Sequence, residues 1–185
     1  MSDVQTSALH PAYLRPTPRV RVAQPLVVVY DPSELRAVVP LTVPTSFPGA
    51  NLIDAPSLVT VHLRSGLESL FEHVSVTTDA QQAPAGALLC TVRFIAAGLA
   101  MAPGGHTMVG TLEWSVTLTR QGQPEPIYSW GERTVGTREG AGAFGGFDAA
   151  PVLQGAIEAS LRAMLKDMND KGLPEHLATP TSQPG

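Results

Sequence analysis

The chain has 185 residues, of which 43% are hydrophobic and only 15% are charged, and its formal net charge is −4. This hydrophobic fraction excludes a wholly disordered chain, and the length fits one domain with tails. The negative charge argues against a nucleic-acid-binding protein, which normally displays a basic stripe. The single cysteine, Cys90, excludes a disulfide within the chain and lies in an apolar run that predicts a buried, inert thiol.

The two ends of the chain have the composition of extended segments. Residues 1–24 combine scattered polar residues with several prolines and are predicted to form an extended arm. Residues 173–185 (LPEHLATPTSQPG) are predicted to be a disordered tail, which leaves 25–172 as a single domain. The start of the chain has no apolar stretch of the kind that a cleavable signal peptide contains.

The first half of the domain predicts two extended segments and one helix. The run LVVVY at 26–30 is apolar on both sides, which is typical of a strand inside a sheet. Pro40 interrupts residues 37–43 and favours an edge strand or an extended loop there. Apolar residues at helical spacing predict a helix over 57–72, in which Gly66 lowers the stability.

The second half predicts four strands and a final helix. Residues 74–78 and 88–96 alternate in the β manner, and TLEWSVTLTR at 111–120 alternates most clearly. The turn QGQP joins this strand to 127–135, its predicted hairpin partner. An apolar stripe then predicts an amphipathic helix that begins after Asp148 and ends near Asn169.

This element order predicts an α+β domain: a mainly antiparallel sheet of about five strands with two amphipathic helices packed on one face. The apolar stripes of the two helices define the residues that we expect to contact the sheet. These are Leu63, Leu67 and Phe71 in the first helix and Ile157, Leu161 and Leu165 in the second.

A glycine-rich stretch between the last strand and the last helix has the spacing of a dinucleotide-binding loop, at Gly140, Gly142 and Gly145. The complete motif also needs a parallel strand with an acidic residue after the helix, and the sequence shows none. The preceding strand is moreover predicted to be antiparallel. We therefore interpret the stretch as a flexible bend rather than a nucleotide site.

The sequence supports a metal site or a catalytic site no better than it supports the nucleotide site. Met101, His106 and Met108 are soft ligands that could hold copper, but residues in this arrangement are more often a loop with two core methionines. None of the familiar short catalytic motifs occurs in the sequence. The sequence therefore predicts no catalytic residues, no cofactor, no metal and no enzyme activity.

Aromatic and basic residues provide the candidates for an interaction site. On the predicted hairpin, Trp114, Tyr128 and Trp130 either belong to the core or form an exposed aromatic platform for a partner. In the N-terminal arm, further candidates for a contact with a partner chain are Tyr13, Arg15, Arg19 and Arg21.

The element pattern resembles a known group of proteins. A strand that ends in Asp-Pro, the segment SLVTVHLRSGLESLFEHVSV, the hairpin LEWSVTLTRQGQPEPIYSW and the helix GAIEASLRAMLKDMND follow one another. Over about 26–171 this set resembles small bacterial envelope lipoproteins of the YajG type and, more loosely, the lipopolysaccharide-assembly lipoprotein fold. Such proteins begin with a leader and a lipidated cysteine, which this chain does not show. Either that segment was removed and replaced by Met1, or the protein is not a lipoprotein.

The resemblance implies a function without catalysis. We expect a periplasmic or outer-membrane-associated domain that acts as an accessory or structural component of a membrane-associated assembly. Its partners would be other envelope proteins, with no nucleic acid and with the membrane reached only through a lipid anchor. The alternative is a carrier that holds a small apolar ligand or a lipid between the sheet and the helices.

Overall fold

The computed structural model describes residues 3–4, 20–33, 38–42, 50–53, 58–103, 107–139 and 150–178. The helical elements are α1, in which π-type turns (Leu58–Leu63) pass into an α-helical turn (Arg64–Leu67), α2 (Ala150–Asp170) and α3 (Leu173–Ala178), together with one short 3₁₀ turn (Ala80–Gln82). The strands are β1 (Asp3–Val4), β2 (Leu26–Tyr30), β3 (Val38–Thr42), β4 (Ala50–Ile53), β5 (Val74–Thr77), β6 (Leu88–Met101), β7 (Thr107–Arg120) and β8 (Gln123–Glu139).

Five strands form the central sheet in the order β5–β2–β6–β7–β8. Strand β2 is parallel to both of its neighbours, whereas the long strands β6, β7 and β8 are antiparallel and contain most of the paired residues. At the far end of β6 the shorter strands β3, β4 and β1 extend the sheet. The predicted α+β fold with a mainly antiparallel sheet of five strands is therefore confirmed.

The alternation of β7 determines which face of the sheet is covered. Leu112, Trp114, Val116 and Leu118 are each at most 1% exposed, and the residues between them are half-buried. Burying one face of a pleated strand requires this period of two. The covered face packs against α1 and α2 in one hydrophobic core, as predicted.

Strand β2 is buried on both faces, which its continuous apolar run predicts. Val28 faces the main core and is 0% exposed, whereas Val27 faces a smaller cluster with Ala83 and Ala87 and is 2% exposed. A strand in the interior of a sheet with cover on both sides has no polar face to present. The segment around Ala83 therefore covers the helix-free side of the sheet near β2.

The two helices approach each other at a glycine. A Cβ atom at Gly66 would lie 3.0 Å from Cδ1 of Leu165, which is itself only 1% exposed. We predicted that Gly66 lowers the stability of the first helix, but its small size also allows α1 to pack closely on α2. The regular helix that we predicted over 57–72 is shorter, because the chain turns after Leu67 and Phe71 pairs with Val22 in an isolated bridge.

Pro40 does not place its strand at an edge, which corrects that expectation. Strand β3 lies between β4 and β6 in the sheet. The pairing with β4 includes Pro40, while the pairing with β6 begins only at Leu41, after the proline. Because proline lacks an N–H group, it fits here at the point where a ladder starts.

The domain begins before residue 25, which we predicted as its first residue. The Arg21 guanidinium donates to the carbonyl oxygens of Glu68 and Phe71, both at 2.8 Å, and so satisfies acceptors at the end of α1. Val22 is 0% exposed, and its N–H donates to Leu70 at 2.9 Å. Arg21 therefore holds the chain against the fold, and the extended arm cannot reach to residue 24.

The predicted disordered tail over 173–185 is wrong for its first six residues, which form α3. Gly172 takes a φ of +63°, a left-handed conformation that ends α2 and turns the chain. Leu173 and Leu177, one helical turn apart, are then buried in the main core at 5% and 8% exposure. Burial of these two side chains provides the stabilisation that the polar composition did not suggest. Residues 179–185 lie outside the described residues.

Candidate interaction surface

Trp114 lies at the centre of a buried aromatic group. Its ring stacks on Phe94 with centroids 5.9 Å apart and meets Trp130 edge-on at 5.3 Å. The indole N–H donates to the hydroxyl of Ser160 on α2, and both residues are at most 1% exposed. A buried indole needs such an acceptor, so this bond fixes the position of α2 along the sheet.

Tyr128 joins β8 to the end of α2 through a polar group. Its hydroxyl donates to Oδ2 of Asp167 at 2.7 Å, and the same oxygen accepts from Nζ of Lys171 at 2.7 Å. That Nζ also lies 5.2 Å from the centre of the Tyr128 ring, a cation–π distance. Burial, together with the bond to Asp167, raises the pKa of Tyr128, and the hydrogen bond from Lys171 lowers the pKa of Asp167 below its usual 3.8.

These positions decide between the two interpretations that the sequence left open for the hairpin aromatics, a place in the core or an exposed platform. Trp114 and Tyr128 are 1% and 6% exposed, so they belong to the core, and the exposed-platform interpretation is wrong for them. Their side chains point to the face that α2 covers, because Trp114 belongs to the buried row of β7 and Tyr128 pairs with Leu118 of that row. Trp130 is half-buried and packs against the core, so part of its ring remains accessible.

The other predicted positions are only partly described. Arg21 has a structural role in the fold, and Tyr13, Arg15 and Arg19 lie outside the described residues, as do His106 and the glycine-rich stretch 140–146. Met101 and Met108 occupy opposite positions in β6 and β7 next to the hairpin turn. Within the described ranges, no three His, Cys, Asp or Glu side chains come close enough together to hold a metal ion.

Cys90 has the inert environment that its sequence context predicts. The thiol is 0% exposed, and burial raises its pKa to about 12. A thiol with so high a pKa supplies almost no thiolate, which is the reactive species of cysteine.

The face of β6, β7 and β8 opposite α2 carries half-buried and exposed side chains in the described part of the chain. We call it the outer face and define it by Thr91, Arg93, Ser115, Thr117 and Ser129. Thr91, Thr117 and Ser129 are directly paired across the three strands, as are Arg93, Ser115 and position 131. Within the described part of the chain, the long helix α2 packs against β7 and β8 on the other face of the sheet, which carries the core.

Four of the five residues that define the outer face have short side chains, and Arg93 is the exception. Position 131 is a glycine, and a Cβ atom there would lie only 3.3 Å from Cβ of Ser115. Two large apolar side chains are exposed on the outermost strands of this region, Ile95 at 61% and Val135 at 54%. Short hydroxyl side chains with apolar residues nearby can be buried against a partner protein without desolvating a charge, and Arg93 is the one charged residue among the five that define this face.

The alternation of β7 already separated Ser115 and Thr117 from the core row. The local sequence does not indicate the register of β7 with β6 and β8, which brings Thr91 and Ser129 beside Thr117. Only the pairing of strands distant along the chain assembles this face.

Among the described helices, none combines the length and apolar composition that a bilayer crossing requires. Neither a known protein-family model nor a curated protein sequence matches the chain.

The fold is similar to that of a Xanthomonas campestris protein described as a member of the DUF330 family. The TM-score is 0.55 at 13% sequence identity, and the match covers 88% of this chain and 91% of that protein. At this identity the likeness shows a shared fold. The class defined by the structure is therefore an α+β domain of a fold found in bacteria.

Two further solved structures are more distant. One is a lipoprotein candidate from Caulobacter crescentus, with a TM-score of 0.40, 12% identity, and coverage of 79% of this chain and 94% of that one. The other is a candidate homologue of a neuraminyllactose-binding hemagglutinin from Helicobacter pylori, with a TM-score of 0.41, 13% identity, and coverage of 95% and 99%. At these TM-scores neither likeness carries an argument.

Proposed function

We propose that this chain is a non-enzymatic, lipoprotein-like domain of the bacterial cell envelope. In this proposal it acts as an accessory component of a membrane-associated assembly and binds another envelope protein through the outer face. The observation that carries the proposal is the contrast between the two sides of the sheet. One side packs against helices, whereas the other carries half-buried and exposed side chains over three long strands.

The character of the outer face supports a protein partner. Flat surfaces of short side chains bury little of a small molecule, which normally binds in a concave pocket. They suit a second protein, since both partners can lose water over a broad area. Arg93 is exposed at the margin of this face and adds a positive charge that can orient an acidic partner.

The carrier alternative would place an apolar ligand between the sheet and the helices. In the described part of the molecule that space contains the protein's own side chains, with Trp114 against Ser160 and Leu165 against the backbone of Gly66. We therefore take the binding of a protein partner as the better supported function.

Site-specific photocrosslinking in the native bacterium tests the proposal. A photoreactive amino acid replaces Thr117, at the centre of the outer face, and in a control variant it replaces Arg162, which is exposed on α2. We expect crosslinks from position 117 to one defined envelope protein, identified by mass spectrometry, and none to that protein from position 162. Equal crosslinking from both positions, or none from position 117, would contradict the proposal.

Two measurements test the remaining parts. The product of the natural gene should sediment with membranes and incorporate radiolabelled palmitate, and its absence from both the membrane and the periplasmic fractions would exclude the envelope location. Saturable binding of an apolar fluorescent probe by the folded protein, with a dissociation constant below about 1 μM, would instead favour the carrier function.

A further inference from the structure

The two edges of the central sheet differ in length. Strand β5 forms one edge with only 4 residues, whereas β8 forms the other with 17 residues. Within the described part of the chain, β8 pairs with β7 alone. A long edge strand presents unpaired N–H and C=O groups, and folded proteins usually shorten, interrupt or cover such an edge.

Only the first part of β8 is protected in this way. Pro124 and Pro126 lack N–H groups, and the register with β7 shifts near them. From Tyr128 to Glu139 the pairing with β7 is regular and the sequence contains no proline. This half of the strand is therefore a suitable template for another strand.

We propose that β8 pairs with β8 of a second copy of this chain, antiparallel and about a two-fold axis at Val135, so that one sheet runs through both copies. An axis perpendicular to the sheet keeps the helix-covered faces of the two copies on the same side. Positions at equal distances from Val135 then lie opposite each other. The pairs are Val135 with itself, Thr134 with Gly136, Arg133 with Thr137 and Glu132 with Arg138.

Charge complementarity and apolar burial favour this register. Glu132 is exposed and acidic, and the sequence has an arginine at position 138, which this register places opposite it, so the two-fold axis produces an opposite-charge pair twice. Val135 is 54% exposed in a single copy and would pack against its equivalent at the axis. An axis at Arg133 or at Glu132 would instead place like charges opposite each other.

This inference concerns a contact between copies, and it goes beyond the proposed function. A dimer built at the edge of β8 leaves Thr91 and Thr117 of the outer face free for a different protein. Either proposal can therefore fail while the other remains.

Cysteine crosslinking tests the axis directly, because Cys90, the only native cysteine, is fully buried. Directly opposite residues of antiparallel strands have Cα atoms about 4.5–5.5 Å apart, a separation that a disulfide can span. The Val135→Cys variant should therefore form a disulfide-linked dimer under mild oxidation. Failure to form it at about 0.5 mM protein, a concentration that would populate even a weak dimer, would overturn the proposal.

Thr137→Cys is the matched control. In the proposed dimer the two copies of position 137 are four residues apart along the strands, about 13 Å, which is too far for a disulfide. We expect at least about tenfold less linked dimer than for Val135→Cys, whereas equal amounts would indicate random collisions and overturn the proposal. The double variant Arg133→Cys with Thr137→Cys should again form a linked dimer, because those positions are opposite each other.

A charge swap tests the register without a covalent bond. Glu132→Arg places like charges opposite each other and should raise the dimer dissociation constant about tenfold, as measured by sedimentation equilibrium. Adding Arg138→Glu exchanges the charges and should restore the parent value. Far-UV circular dichroism confirms folding of each variant, and a folded double variant that stays as weak as the single one would overturn this register.

Discussion

The hydrogen bond between Trp114 and Ser160 allows a direct test of how the sheet and α2 are held together. Ser160→Ala removes the acceptor of the buried Trp114 indole N–H and leaves the rest of the core in place. An unsatisfied buried donor costs about 1–3 kcal/mol. For a chain of this size, that free energy corresponds to a decrease in melting temperature of about 2–10 °C.

A double-mutant cycle separates this bond from the loss of packing. In the background of Trp114→Phe there is no indole N–H, and the Ser160 hydroxyl can bond to a carbonyl one turn earlier in its own helix. Ser160→Ala should then change the free energy of unfolding by less than about 0.5 kcal/mol, which gives a coupling of about 1–2 kcal/mol. Urea unfolding followed by circular dichroism measures all four variants. An equal cost of Ser160→Ala in both backgrounds would refute the hydrogen-bond explanation.

Three further expectations follow from the packing and the polar contacts. Gly66→Ala should destabilise the protein by about 1 kcal/mol, since overpacking against Leu165 costs about 1–3 kcal/mol and the better helix propensity returns at most about 1 kcal/mol; a gain in the urea midpoint would show that the two helices can separate without cost. Cys90 should react with a thiol reagent at pH 8 only as fast as the protein unfolds, because its thiol is buried and its pKa is raised to about 12; rapid labelling of the folded protein would contradict this burial. The lowered pKa of Asp167 makes its contacts with Lys171 and Tyr128 stabilising above the unfolded pKa of about 4, and this stabilisation is lost as the pH falls through the lower folded value. Asp167→Asn should therefore be less stable than the parent at pH 7 and lose less stability between pH 5 and pH 2, and parallel stability curves for the two proteins would disprove the linkage.

Local periodicity accounts for the elements that could be predicted from the sequence. The alternation in TLEWSVTLTR identified β7 and its buried row, and the continuous apolar run of β2 identified a strand with two covered faces. The stripe of α2 likewise predicted the burial of Ile157, Leu161 and Leu165. In each case burial of one face imposes a period on the residues of a single segment, and that period can be read without knowledge of the partner.

The sequence predicted less of the candidate site than of the secondary structure. The aromatic residues of the hairpin were evident, but whether they face the core or solvent depends on which side of the sheet α2 covers. Arg21 and Val22 looked like part of a tail because their hydrogen-bond acceptors, near Leu70, are distant along the chain. Leu177 looked exposed for a similar reason, since the core that buries it comes from other elements.

The sequence by itself determined that the segments of β2, β7 and α2 become two strands and a helix and which of their faces are apolar. The tertiary structure alone decided that β2 runs parallel to both neighbours, that Gly66 lies against Leu165 and that Thr91, Thr117 and Ser129 form one row. The physical reason is that the period of a segment depends on its own geometry, whereas the choice of partner depends on the sum of many contacts between distant residues. Those contacts exist only after the chain has closed the loops that bring the residues together.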